Sequence, residues 1–69
     1  MSAKKSFINE LLSVNPGMRQ VGTSDVWMDI PSISKNGRLL NMTIRLPAGA
    51  KLDGRDIVKN DIRIHVYQP

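Results

Sequence analysis

The 69-residue chain predicts an α+β fold, with one N-terminal helix packed on a small, mainly antiparallel three-stranded β-sheet, as a single domain over residues 1–69. Three observations carry this prediction. Apolar residues recur at helical spacing near the N-terminus, they alternate with polar residues in three later segments, and Asn36-Gly37 stands between two of those segments.

The helix is read from "SAKKSFINELLSVNPG". Phe7, Ile8, Leu11 and Leu12 form one apolar stripe. Ser2 or Ser6 can cap its start. Asn15-Pro16-Gly17 ends it, because proline restricts the residue before it and Gly17 supplies a turn. A helix within residues 3–15 is too short to be stable alone, so its stripe must dock on another element.

"MRQVGTS" reads as a loop. "DVWMDIP" then alternates, with Val26, Met28 and Ile30 on one face and Trp27 and Asp29 on the other, predicting a strand over 25–31. In "RLLNMTIRLP", Leu40, Met42, Ile44 and Leu46 alternate with Leu39, Asn41, Thr43 and Arg45, predicting a second strand over 38–46. Asn36-Gly37 suits a type I′ turn between the two, since both central residues need positive φ. A two-residue loop there would put Asp29 opposite Ile44, on the apolar side. An extra residue near Pro31-Ser32 repairs the register, so a bulge or break is predicted there, with a longer irregular loop as the alternative.

Residues 47–60, "PAGAKLDGRDIVKN", read as a linker in which Asp53 caps a short helical turn, with Leu52, Ile57 and Val58 packing down. The closing "NDIRIHVYQP" alternates strictly: Ile62, Ile64 and Val66 against Arg63, His65 and Tyr67. It predicts a strand over 61–68, and an edge position would leave its backbone open to another chain. Leu11, Ile44 and Ile64 are expected to meet in the core.

Composition narrows the function classes. There is no cysteine, which removes disulfides and thiolate metal sites. No apolar run approaches the ~18–20 residues needed to span a bilayer. "MSAKKSF" lacks the apolar stretch of a signal peptide, and Ser2 stands where N-myristoylation needs glycine. The expectation is a soluble, cytoplasmic protein with no membrane partner. Net charge is +4 and the isoelectric point about 10, which suits an anionic partner or simply solubility.

Enzyme chemistry finds little support. The chain has one histidine, no glycine-rich phosphate loop and no nucleophile elbow around any serine. Asp53-Gly54-Arg55-Asp56 lacks the ligand spacing of a calcium loop, and Asn41-Met42-Thr43 is a glycosylation sequon within a predicted strand. No catalytic residue, metal or cofactor is expected. Neither the aromatic signature of an RNA-recognition motif nor the second helix of a helix-turn-helix is present.

The predicted outer sheet face gathers Trp27, Arg45, Arg63, His65 and Tyr67, with Asp29 offsetting one arginine and a cationic surplus left over. Aromatics beside guanidinium groups suit bases and phosphates of single-stranded nucleic acid, or a protein interface. They also suit plain cross-strand pairing. The expected function is a small, basic, non-enzymatic binding protein that engages nucleic acid, or a protein complex that handles it, through this face. By composition it fits an accessory or inhibitor protein of a phage or mobile element. The alternative is a structural subunit of a homo-oligomer or virion-like particle, assembled through a sheet edge.

Overall fold

The computed structural model describes residues 3–29, 36–40 and 42–68. The helix α1 spans Ala3–Val14. Its stripe docks as the spacing predicts: Phe7, Ile8 and Leu11 are buried and Leu12 partly so. Asn15 closes the helix with its side chain. Its Nδ2 donates to Leu11 O at 2.8 Å, satisfying one of the carbonyls that a last helical turn leaves without a partner. Met18 N then donates to Asn15 O at 3.0 Å, turning the chain directly into a strand.

Five strands follow: β1 Met18–Val21, β2 Asp25–Met28, β3 Lys51–Asp53, β4 Asp56–Lys59 and β5 Ile62–Tyr67. They form one sheet of order β1-β2-β5-β4-β3. Every pairing is antiparallel except β2 with β5, which run parallel, with Val26 opposite Val66 and Trp27 opposite Tyr67. The fold is therefore α+β, but with a five-stranded mixed sheet where the sequence predicts three strands. β5 is the middle strand, not an edge, so both sides of its backbone are already engaged.

Three sequence expectations are corrected. "MRQV" is not loop but β1, pairing with β2 from Met18↔Met28 to Val21↔Asp25. Residues 51–59 are not a linker with a helical turn but the β3–β4 hairpin, closed by Gly54-Arg55. Gly54 takes φ 64°, a conformation open to glycine at little steric cost. The next hairpin, β4–β5, closes over Asn60-Asp61, and Asn60 takes φ 56°, which asparagine tolerates better than most residues.

The third correction concerns residues 38–46. Among the described residues of this segment none lies in a strand, and Leu39 makes only an isolated bridge. A turn interrupts them, in which Thr43 N and Thr43 Oγ1 both donate to Leu40 O, at 3.1 and 2.8 Å. The buried residues are Leu39 and Ile44, while Met42 is 84% exposed. A spacing of five cannot hold two residues on one face of a regular strand. Both sides of β2 are taken, by β1 and β5, so no place is left beside it. Gly37 does take positive φ, at 80°, but it does not close the predicted hairpin. Ile30, Asn41 and the Pro31-Ser32 bulge lie outside the described residues.

The core lies between α1 and one sheet face. Phe7, Ile8 and Leu11 meet Met18, Val26, Met28, Ile57, Ile64 and Val66, with Leu39 and Ile44 added from the long connection. Leu11, Ile44 and Ile64 are each at most 1% exposed, as expected. Lys59 lies at the border of the core. Its ammonium stands 5.5 Å from the Phe7 ring centroid and 3.9 Å from Glu10 Oε1. Among the described residues no helix is long and apolar enough to cross a membrane.

Candidate functional site: the open face of the sheet

Burying the apolar set of each strand under α1 turns the alternate residues outward. No described helix or strand packs on that outer face. Register places its side chains in rows. In one row Arg19 of β1, Trp27 of β2 and Tyr67 of β5 are neighbours. In the next, His65 of β5 lies opposite Asp56 of β4, which lies opposite Asp53 of β3. On its other side His65 meets Asp25, whose Oδ1 accepts from His65 N at 3.3 Å. Arg63, Val58 and Lys51 complete a third row.

Trp27, Arg63, His65 and Tyr67 thus share one surface, as the alternation predicts. Arg45 does not. The turn at Leu40–Thr43 carries residue 45 off the sheet to the C-terminal end of α1, where its backbone pairs with the Asn15 side chain. Thr43 leaves the face with it.

The polar groups of the face are largely engaged with one another. Arg63 spans two aspartates: Nη1 donates to Asp56 Oδ2 and Nη2 to Asp53 Oδ2, both at 2.8 Å. Asp56 Oδ1 also accepts from His65 Nδ1 at 2.8 Å. An ionised carboxylate only accepts, so His65 carries its hydrogen on Nδ1 in this contact. The His65 ring meets Tyr67 edge-on, with centroids 4.6 Å apart. Across the face, Trp27 Nε1 donates to Asp29 Oδ1 at 2.8 Å, the Arg19 guanidinium lies 5.7 Å from the Trp27 ring, and Arg19 reaches Asp29 at 3.9 Å.

These contacts overturn the expected cationic surplus. Four aspartates (Asp25, Asp29, Asp53 and Asp56) stand on or beside the face, against Arg19, Lys51 and Arg63. Asp29 does offset an arginine, but it is Arg19. Arg19, Asp53 and Asp56, which the sequence pattern does not place on the face, belong to strands too short to show periodicity. A signal for one hairpin is present nonetheless: Gly54-Arg55, with glycine at the first central position, suits a two-residue hairpin loop between two apolar-containing runs.

The Arg63 guanidinium, by hydrogen bonding, holds the Asp56 carboxyl below its ordinary pKa; burial opposes this and His65 adds to it. A carboxyl whose folded pKa is depressed stabilises the fold above its unfolded pKa and loses that contribution as pH falls through the folded one. Acidification into and below the ordinary aspartate range should therefore weaken the parent more than an Asp56→Asn variant, which starts lower at neutral pH. Urea unfolding at a series of pH values checks this, and parallel losses in both proteins would contradict it.

The arrangement can present a rigid aromatic pair, Trp27 and Tyr67, on adjacent strands, framed by ion pairs whose charges are mutually satisfied. No family model, curated protein or solved structure matches the chain.

Proposed function

We propose that this protein is a non-enzymatic binding module, of the accessory or inhibitor type, that engages a protein partner through the open sheet face. One observation carries the reading. Trp27, His65 and Tyr67 remain accessible side by side on the adjacent strands β2 and β5, although Val26, Met28, Ile64 and Val66 on the opposite face of those strands are buried. Tyrosine and tryptophan on a rigid support carry binding energy at low entropic cost, and they dominate interface hot spots. The ion-paired rim favours a protein over nucleic acid. Arg63 would have to leave two aspartates to hold a phosphate, and the nearby carboxylates repel one.

The test is affinity capture from the native cells with four proteins: the parent, Trp27→Ala, Tyr67→Ala, and Lys4→Ser/Lys5→Ser. Either aromatic change should weaken the interaction by about 2 kcal/mol. The lysine change on the helix side should leave it intact. Loss with the lysine change alone would move the working surface to α1. A short single-stranded oligonucleotide, titrated at low and high salt, covers the nucleic-acid reading. Binding that falls steeply with salt would replace the protein partner with nucleic acid.

The homo-oligomer reading has its own observation. β1 is an edge strand whose Arg19, Gln20 and Val21 are all exposed, and an open edge can pair with a second copy. Light scattering during size exclusion distinguishes a dimer from a monomer.

A further inference from the structure

Arg45 sits beside a groove of about 250 Å³ at the C-terminal end of α1. Val14, Pro16 and Met28 make its walls apolar, and Gly17 and Thr43 complete them. At Gly17 nothing lies within 4 Å of where a Cβ would stand, so the groove is open at that point. Val14, an apolar residue on the last turn of the helix, is 40% exposed.

The polar atoms around the groove are mostly committed. Asn15 Nδ2 serves Leu11 O and Arg45 O, its Oδ1 accepts from Arg45 N, and the Thr43 hydroxyl donates to Leu40 O. The Arg45 guanidinium is the exception. Among the described residues it makes no ion pair, unlike Arg19, Lys59 and Arg63, a state it shares with other exposed cations such as Lys51. Its backbone is held at both N and O by Asn15, so the side chain projects from a fixed point.

An apolar recess lined in part by Arg45, a cation with no ion pair among the described residues, calls for a ligand with an apolar body and a single negative head. We propose that the groove binds the C-terminal residue of a partner polypeptide, with its apolar side chain between Val14, Pro16 and Met28 and its terminal carboxylate on Arg45. Size points to this source over a long acyl chain, because the volume falls below the ~300 Å³ at which pockets for drug-sized ligands begin. The carboxylate belongs on Arg45, the one charged residue among those that line the groove. Arginine matches a carboxylate with two parallel hydrogen bonds.

The experiment is a backbone amide NMR titration of the full chain with three probes: an acetylated Ala-Ala-Leu peptide with a free C-terminus, the same peptide amidated, and octanoate. The free acid should give saturable shifts at Val14, Gly17, Met28 and Arg45. Amidation, and separately Arg45→Gln, should each weaken binding about tenfold, as expected for a lost charge-assisted pair. Arg45→Gln keeps the backbone groups that Asn15 holds, so its melting temperature should match the parent's. Equal binding of acid and amide would overturn the proposal, as would the absence of shifts at Gly17 and Met28 with millimolar free-acid peptide. Octanoate binding as tightly as the peptide would overturn the polypeptide terminus as the source.

Discussion

Ile64→Ala should leave little folded protein at 37 °C. Ile64 is fully buried on the central strand β5, pairs with Ile57 of β4 and belongs to the cluster that receives α1. Removing a buried isoleucine side chain beyond Cβ costs about 2–5 kcal/mol, the lost transfer energy plus the cavity left behind. The whole stability of so small a domain is on the order of 5 kcal/mol. A loss of about 3 kcal/mol corresponds to a melting temperature lower by roughly 12–24 °C for a chain of this size. Thermal unfolding followed by circular dichroism measures it, and an unchanged melting temperature would mean that β5 does not present Ile64 to the helix.

Asn15→Asp should be as damaging as Asn15→Ala, although the side chain keeps its size. Asn15 is 4% exposed and holds three backbone groups at once: Leu11 O, Arg45 O and Arg45 N, at 2.8, 2.9 and 2.7 Å. It mimics a peptide group, pairing the end of α1 with a loop 30 residues away. Alanine leaves all three without a partner, at about 1–3 kcal/mol for each group that water cannot reach; with Arg45 partly accessible, about 2–4 kcal/mol in total is expected. Aspartate keeps the acceptor for Arg45 N but loses both donors and sets a carboxylate against two carbonyl oxygens. Urea midpoints of the two variants should fall together. If Asn15→Asp retained the parental midpoint, the loop would not be held by the side-chain nitrogen.

What could be read from the sequence depended on how long each pattern ran. Phe7, Ile8 and Leu11 repeat over most of α1 and are followed by a proline, so the helix and its end were clear. Ile62, Ile64 and Val66 alternate through all of β5, so its two faces were clear too. β1 contributes a single buried residue, Met18, and β3 only the partly buried Leu52, which is too little for a period to emerge. Residues 38–46 failed in the opposite way. They alternate well, but the turn at Leu40–Thr43 places Leu39 and Ile44 inward instead of the alternating set. The parallel β2–β5 pairing joins residues 40 apart, and no local signal specifies it. The candidate site inherited the same limits. The alternation brings Trp27, Arg63, His65 and Tyr67 together because their strands are legible, whereas no pattern marks the strands of Arg19, Asp53 and Asp56, and the turn at Leu40–Thr43 takes Arg45 off the face.

Trp27 is the only tryptophan in the chain and stands at the centre of the proposed surface, so its emission reports directly on whether that surface is used. The decisive measurement is Trp27 fluorescence and its quenching by acrylamide, with and without a saturating amount of the captured partner lacking tryptophan or carrying a non-fluorescent analogue. Burial against a protein partner predicts a blue-shifted emission and a several-fold loss of quenching, because water and quencher are excluded from a hot-spot centre. Saturated binding that leaves both the emission maximum and the quenching of Trp27 unchanged would contradict the account and place the working surface elsewhere on the molecule.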